Sequence, residues 1–362
     1  MYIENLKLEN FRNYKKEEIF FINGINLFIG DNAQGKTNII ESIYLTAFGK
    51  SYRTIKDNEL INFDNEFCHV NLNYIKNSSK NNIEIFIDKN KKILKKDDIK
   101  INKISNHVGE LLIVKFSPDS LDIIKGSPGK RRKFLDMICC QLSKSYIIIH
   151  QEYMKYLKLK NSLLKQERID REYIDVLHDK MSECIEKIVN FRKTVIFKLL
   201  EKAKVIQNNI TNGKETINLE YNTEFLNKNK EQIKKILDDV LFIEIIRKTS
   251  LKGIQRDDLD IYINDLDVGK YGSQGQNRTA LLTLKLADFE VLIEEKEDIP
   301  ILLLDDIMSE LDKNRIQFLL KYIENYQSII TTTDSSFVKD VKNIKIFKVL
   351  NGTLEKWYKS VI

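Results

Sequence analysis

The sequence predicts an α/β fold in two parts, a parallel sheet built from both ends of the chain and a mainly helical insertion between them. Three observations predict it. Ile25 to Ile29 is an apolar strand that runs into Gly30 to Thr37, GDNAQGKT, and then into a helix marked by Ile39, Ile40, Ile43, Tyr44 and Ala47. Near the other end, Ile299 to Leu304 is an uninterrupted apolar run closed by Asp305 and Asp306, as a buried parallel strand ends at its ligand-facing tip. Between them, from Ser117-Pro118 to about residue 246, helical periodicity dominates.

At 362 residues the chain has room for about two domains. Hydrophobic residues are 42%, charged residues 31%, and only three prolines occur, which excludes a disordered or linker-built protein. Lys plus Arg number 59 against 53 Asp plus Glu, a mild basic excess that permits a polyanionic partner without demanding one. Cys68, Cys139, Cys140 and Cys184 form no CxxC pair, so neither a zinc site nor a disulfide framework is expected. The N-terminal MYIENLKLEN lacks an apolar signal core and no apolar run reaches the ~20 residues of a membrane span. A cytoplasmic protein without a membrane partner is the expectation.

In chain order, Ile3 to Phe11 supplies a first strand, and Ile19 to Ile22 and Ile25 to Ile29 flank Asn23-Gly24, read as a hairpin turn. Two glycines allow backbone N–H groups of Gly30, Asp31, Asn32, Ala33, Gln34 and Gly35 to close around phosphates. Lys36 can reach the β and γ oxygens, and the Thr37 hydroxyl is placed for Mg²⁺. A helix starting there turns its positive end to the anion. After KSYRT, Lys50 to Thr54, alternation in His69 to Ile75 and Ile83 to Ile87 predicts a small antiparallel sheet beside the site.

Leu111 to Phe116 is the last apolar run before the helical part. There Ile174, Leu177, Met181, Cys184, Ile188, Phe191, Val195 and Leu199 recur at helical spacing, and an earlier helix carries Ile149, Tyr153, Tyr156 and Leu163. Two helices of a bundle and a short antiparallel arm fit that spacing equally. Lys125, Lys130, Arg131, Arg132 and Lys133 crowd into KGSPGKRRKF, either a solvated helix start or a surface that neutralises phosphates without reading sequence.

Alternation returns at Leu259, Ile261 and Ile263, followed by YGSQGQNRT and a helix through Leu281, Leu282, Leu284, Leu286 and Phe289. Asp305 and Asp306 then read as a Walker B pair, Asp305 a Mg²⁺ ligand with Thr37 and Asp306 the carboxylate that polarises the attacking water. Gln327 to Ile330 is a further buried strand, and 344 to 350 and 353 to 358 form a hairpin across Asn351-Gly352. The segments before residue 112 and after 247 must share one sheet, since the loop otherwise lacks its magnesium ligand.

Phe11-Arg12-Asn13-Tyr14, GDNAQGKTNIIESIYL, FSPDSLDIIKGSPGKRRKFLD, YGSQGQNRTALLTLKLA and LLLDDIMSELD, in this order, resemble the RecF family of DNA repair and recombination proteins across essentially the whole chain. That family is similar to the SMC branch of ABC-type ATPases, which implies an ABC-type P-loop ATPase head with an inserted mainly helical arm: head 1–116, arm 117–246, head 247–362. The resemblance implies that Ser273, Gln274, Gly275 and Gln276 form the signature motif, meeting ATP held by a second copy in an ATP-dependent homodimer. It places Asp312 in the loop crossing that interface and Arg12 near the nucleotide. It implies ATP and Mg²⁺ as cofactors and DNA binding at single-strand gaps and their junctions, for which Lys130, Arg131, Arg132 and Lys133 are candidates. It also implies cooperation with RecO and RecR in loading recombinase, and slow, DNA-stimulated hydrolysis.

Departures from the wider pattern are Ser117 at the Q-loop position, Thr332 and Thr333 in the region of the switch histidine, and Gly253-Ile254-Gln255-Arg256-Asp257-Asp258 where the family's block carries a His. Two other readings compete: the ATPase subunit of a membrane transporter, and a structural DNA-binding module that ATP only rigidifies.

Overall fold

The computed structural model describes residues 1–338 and 341–357 and divides into two compact units, a head of Met1–Ser120 with Asp288–Ile362 and an insert of Leu121–Ala287. In the head, β1 (Tyr2–Phe11) and β2 (Tyr14–Phe20) precede β3 (Ile25–Ile29) and α1 (Lys36–Phe48). Then come β4 (Phe67–Lys76), β5 (Ser79–Asp88), β6 (Lys92–Lys96), β7 (Ile99–Lys100) and β8 (Ile113–Phe116).

The insert holds α2 (Asp122–Lys125), α3 (Pro128–Leu142), α4 (Lys144–Leu163), α5 (Arg171–Thr211) and β9 (Ile217–Asn222). It continues with α6 (Lys230–Asp239), α7 (Leu241–Arg247), β10 (Asp258–Ile263), β11 (Leu266–Asp267), α8 (Val268–Tyr271) and the start of α9 (Gln274–Lys296). The chain closes in the head with β12 (Ile301–Asp305), α10 (Lys313–Ile323), β13 (Ser328–Thr332), β14 (Ile344–Leu350) and β15 (Thr353–Trp357).

One head sheet runs β15-β14-β3-β13-β12-β8, parallel apart from β15. Every residue of β12 and β13 is buried, which explains why β12 reads as a continuous apolar run. Both ends of the chain therefore meet in one sheet, as expected. The second sheet, β2-β1-β4-β5-β6-β7, is antiparallel and alternates buried with half-buried positions along β4. Asn351-Gly352 makes the closing hairpin, with φ of 48° and 72°; residue 358 of the expected last strand lies outside the described residues.

The expected hairpin at Asn23-Gly24 is not formed. β2 pairs with β1 through a turn at Arg12-Asn13, while β3 lies between β13 and β14. The buried Asn26 side chain decides this locally, accepting from Ile22 N at 2.9 Å and donating to Ile22 O at 3.0 Å and Gly24 O at 3.1 Å. These bonds close a loop that delivers β3, buried on both faces, to the parallel sheet.

In the insert, α5 is 41 residues long and packs against α3, α4, α6 and β9. Its stripe buries Ile174, Leu177, Met181, Ile188, Val195 and Leu199, the helical spacing seen in the sequence. The antiparallel sheet β11-β10-β9 belongs to this unit, with Leu259 opposite Tyr221 and Ile261 opposite Leu219. That pairing is why the second boundary falls at Ala287/Asp288 instead of at residue 247.

Candidate nucleotide site

Gly30 to Thr37 links the tip of β3 to the first turn of α1. The loop conformation demands glycine at two places. Gly35 has φ of 113°, and a Cβ there would lie 2.5 Å from Asn13 Nδ2; at Gly30 it would lie 2.4 Å from the Val349 carbonyl oxygen. Two turns from distant parts of the chain brace the loop. Asn13 Nδ2 donates to Gln34 O at 2.9 Å and Tyr14 OH to Gly35 O at 3.1 Å. From the closing hairpin, Gly352 N donates to Gln34 O at 3.0 Å and Asn351 N to Gln34 Oε1 at 2.7 Å. Neither brace follows from the spacing of the loop motif, although Asn13 and Tyr14 stand beside Arg12 in the block that carries the resemblance.

Lys36 Nζ donates to the carbonyl oxygens of Gly30 at 2.6 Å and Asp31 at 2.7 Å, so the loop holds its own cation on its backbone carbonyls. Burial lowers its pKa, and Asp306, Asp31 and Asp305 oppose that shift. Thr37 Oγ1 donates to Asp305 Oδ1 at 2.9 Å, joining the phosphate loop to the tip of β12. Thr331 Oγ1 donates to the same oxygen at 2.8 Å and Tyr52 OH to Oδ2 at 3.1 Å. Burial, then the neighbouring Asp305 and Glu41 charges, push the Tyr52 pKa up, so the phenol remains a donor.

Asp306 follows with φ of 52°, held by its N–H to Thr331 O and Oγ1, both at 3.1 Å. Its Oδ1 is buried without a hydrogen-bond partner among the described residues. Burial raises its pKa, Lys36 opposes this, and Asp305 and Glu310 add to it. Two carboxylates and a hydroxyl thus converge beside the loop, a hard oxygen set that suits Mg²⁺. Among the described residues no group of three or more His, Cys, Asp or Glu is placed to hold a metal.

The expected residues separate into those at this site and those with other partners. Arg12, at φ of 53° in the β1–β2 turn, binds Glu41 through Nε at 2.9 Å and Nη2 at 2.7 Å, and Glu59 O at 2.8 Å. Glu41 is fully buried and also accepts from Ser51 Oγ at 2.6 Å and Arg53 Nη1 at 3.1 Å. Its signal in the sequence was a lone acid on the apolar helix stripe. Asp312 caps α10, accepting from Arg315 N at 3.0 Å and pairing with the Arg315 side chain.

Within the insert, Ser273 and Gln276 form a capping box at the start of α9, with Gln276 N to Ser273 Oγ at 3.1 Å and Ser273 N to Gln276 Oε1 at 2.9 Å. Gln274 and Gly275 fall in the first turn. The basic cluster opens α3 and is largely engaged internally. Arg131 grips Asp258 at 2.6 Å and 2.7 Å and Gly126 O at 2.9 Å. Arg132 Nη1 donates to Asp257 O at 2.7 Å, Lys130 pairs with Asp122 at 2.8 Å, and Lys133 is exposed. Gln255, the departure from the family's His, accepts from Tyr153 OH and donates to Lys252 O at 2.9 Å.

Known proteins bear on this geometry in three ways. The family described as RecF/RecN/SMC N terminal domain matches residues 2–355. A DNA replication and repair protein RecF of Clostridium botulinum (strain Eklund 17B / Type B) is 42% identical over 362 residues, covering 98% of this chain and 99% of that protein. A solved structure of the recombination mediator protein RecF-ATP in the RecFOR pathway has a TM-score of 0.91 at 35% identity, covering 99% of this chain and 98% of that one. An Smc head bound to the C-winged helix domain of ScpA, at 17% identity, covering 98% of this chain and 96% of that one, with a TM-score of 0.59, shares the fold. With an ABC-type head fold, a matching family description and relatives aligned from end to end, the chain belongs to the RecF family.

Proposed function

We propose that this chain is an ATP-dependent DNA-binding protein of recombinational repair and replication restart, dimerising on ATP and binding single-stranded DNA and gap junctions to help load recombinase. The observation that carries this reading is the 2.9 Å hydrogen bond from Thr37 to Asp305, which brings the phosphate loop and the Walker B strand into one site. Lys36, released from the Gly30 and Asp31 carbonyls, would reach the β and γ phosphates, and Thr37 and Asp305 would hold Mg²⁺. Magnesium supplies charge neutralisation on the phosphate oxygens when bound. Asp306, made more basic by its burial, would orient the attacking water, and slow hydrolysis there would release the DNA.

Ser273 at the capped start of α9 and Asp312 at the start of α10 would meet the nucleotide and the interface of a second copy. Arg12 would act near the nucleotide through Glu41. Contact with DNA would run through the exposed Lys130 and Lys133, with Arg131 and Arg132 shaping the surface behind them. RecO and RecR are the expected partner proteins, in keeping with the RecFOR pathway named for the solved relative. The relatives give no support to a transporter ATPase. No helix among the described residues is long and apolar enough to cross a membrane.

The test is binding to gapped, single-stranded and duplex DNA with and without ATP and magnesium, across a salt series. Tighter binding to gapped DNA only with ATP, falling steeply with salt, is the expected result. Equal affinity in both conditions would overturn the reading.

A further inference from the structure

Tyr52 lies in KSYRT, beyond the end of α1, and has no part in the phosphate-loop or Walker B motifs. Its hydroxyl nevertheless donates to Asp305 Oδ2 at 3.1 Å, across 253 residues of sequence. The other oxygen, Oδ1, takes the hydroxyls of Thr37 and Thr331. A carboxylate turns easily about its last torsion, where wells are broad. Donors on both oxygens fix that rotation, with Oδ1 toward Thr37.

The ring of Tyr52 is itself held. Tyr44 packs edge-on at 5.0 Å with an interplanar angle of 74°, and Lys115 Nζ stands 3.8 Å from the ring centroid while donating to Ser117 Oγ at 2.7 Å. An ammonium over the ring face draws electron density from the phenol and makes its O–H a better donor. Ser117, at the Q-loop position, thereby steadies the cation that steadies the tyrosine.

We propose that Tyr52 is a positioning residue for the magnesium site, orienting Asp305 through Oδ2 and supported by Lys115. This rests on the reading that Asp305 and Thr37 hold magnesium. Outer hydrogen bonds to metal ligands typically carry about 10–100-fold in metal affinity. The test is a magnesium titration of the full chain with a fluorescent ATP analogue, beside the analogue's affinity in EDTA, for the parent, Tyr52→Phe and Asp305→Asn.

Tyr52→Phe keeps the ring and its packing, so it is expected to raise the magnesium midpoint about tenfold while leaving the EDTA affinity within about twofold. An unchanged midpoint, or an equal fall in both affinities, would overturn the proposal. If Asp305→Asn shifts the midpoint and Tyr52→Phe does not, only Tyr52 loses its role. If Asp305→Asn shifts nothing, the magnesium reading falls and this inference with it.

Discussion

Arg192 in the insert is buried and Asp306 in the head is partly buried, and the fold treats these two charged side chains differently. Arg192 is 1% exposed. Its guanidinium meets Asp136 through Nε at 3.1 Å and Nη2 at 2.8 Å, Asp257 through Nη1 at 2.8 Å, and the Tyr146 hydroxyl at 3.0 Å. Asp257 is completed by Tyr221 OH at 2.6 Å and Thr223 Oγ1 at 2.7 Å. Burial alone would raise the Asp136 pKa, but His150 and Arg192 outweigh it and hold it at about 2. Nothing in this network waits for a ligand. Asp306 keeps a buried oxygen without a partner among the described residues, and burial raises its pKa. Because that carboxyl group lies close to Lys36 of the phosphate loop, Asp306 is the candidate for handling a ligand or a proton, whereas the Arg192 network serves as scaffold.

The sharpest way to break this comparison is Arg192→Met. Leaving Asp136 and Asp257 buried without their cation should cost about 3–5 kcal/mol in denaturant unfolding; a loss below about 1 kcal/mol would show the network is not structural. Next in size is Gly35→Ala in the head. Forcing φ of 113° on alanine, with its Cβ against Asn13, should cost about 1–3 kcal/mol. Much of that should appear as ATP affinity lowered about tenfold or more by equilibrium titration.

Asp306→Asn should behave unlike Arg192→Met, leaving the unfolding free energy within about 1 kcal/mol while phosphate release stops. A large destabilisation would place Asp306 with the scaffold.

The smallest effect is in pH dependence. Asp306 has a folded pKa raised above 3.8, so its contribution is present below about that value and is lost as pH rises through the raised one. The parent's stability against unfolding should therefore fall relative to that of Asp306→Asn over that rise. Asp136, lowered from 3.8 to about 2, has the opposite sign: its contribution is present above 3.8 and lost as pH falls toward 2, and Asp136→Asn should flatten that acid limb. Parallel curves for parent and variant would contradict either assignment.

What could be read in the sequence was local. The loop, the two all-buried strands and the Asn351-Gly352 turn each carry their instruction within a few neighbours. Asn23-Gly24 carries the same local instruction as a hairpin, and the side chain of Asn26 overrides it. Long-range polar pairs had no local signal. Arg131 finds Asp258 across 127 residues and Tyr52 finds Asp305 across 253, so a basic run that reads either as a solvated helix start or as a phosphate-neutralising surface contains an arginine that ties down β10, and a donor to Asp305 sits in KSYRT. The second domain boundary moved for the same reason, because β9 and β10 pair over a long separation.

The proposed function requires that the head and the start of α9 form a nucleotide site only between two copies. Sedimentation of Asp306→Asn with saturating ATP and magnesium tests it most directly, beside the same protein carrying Ser273→Arg. A doubled mass is expected for the first and a monomer that still binds ATP for the second. A mass unchanged by ATP, with the nucleotide demonstrably bound, would contradict it.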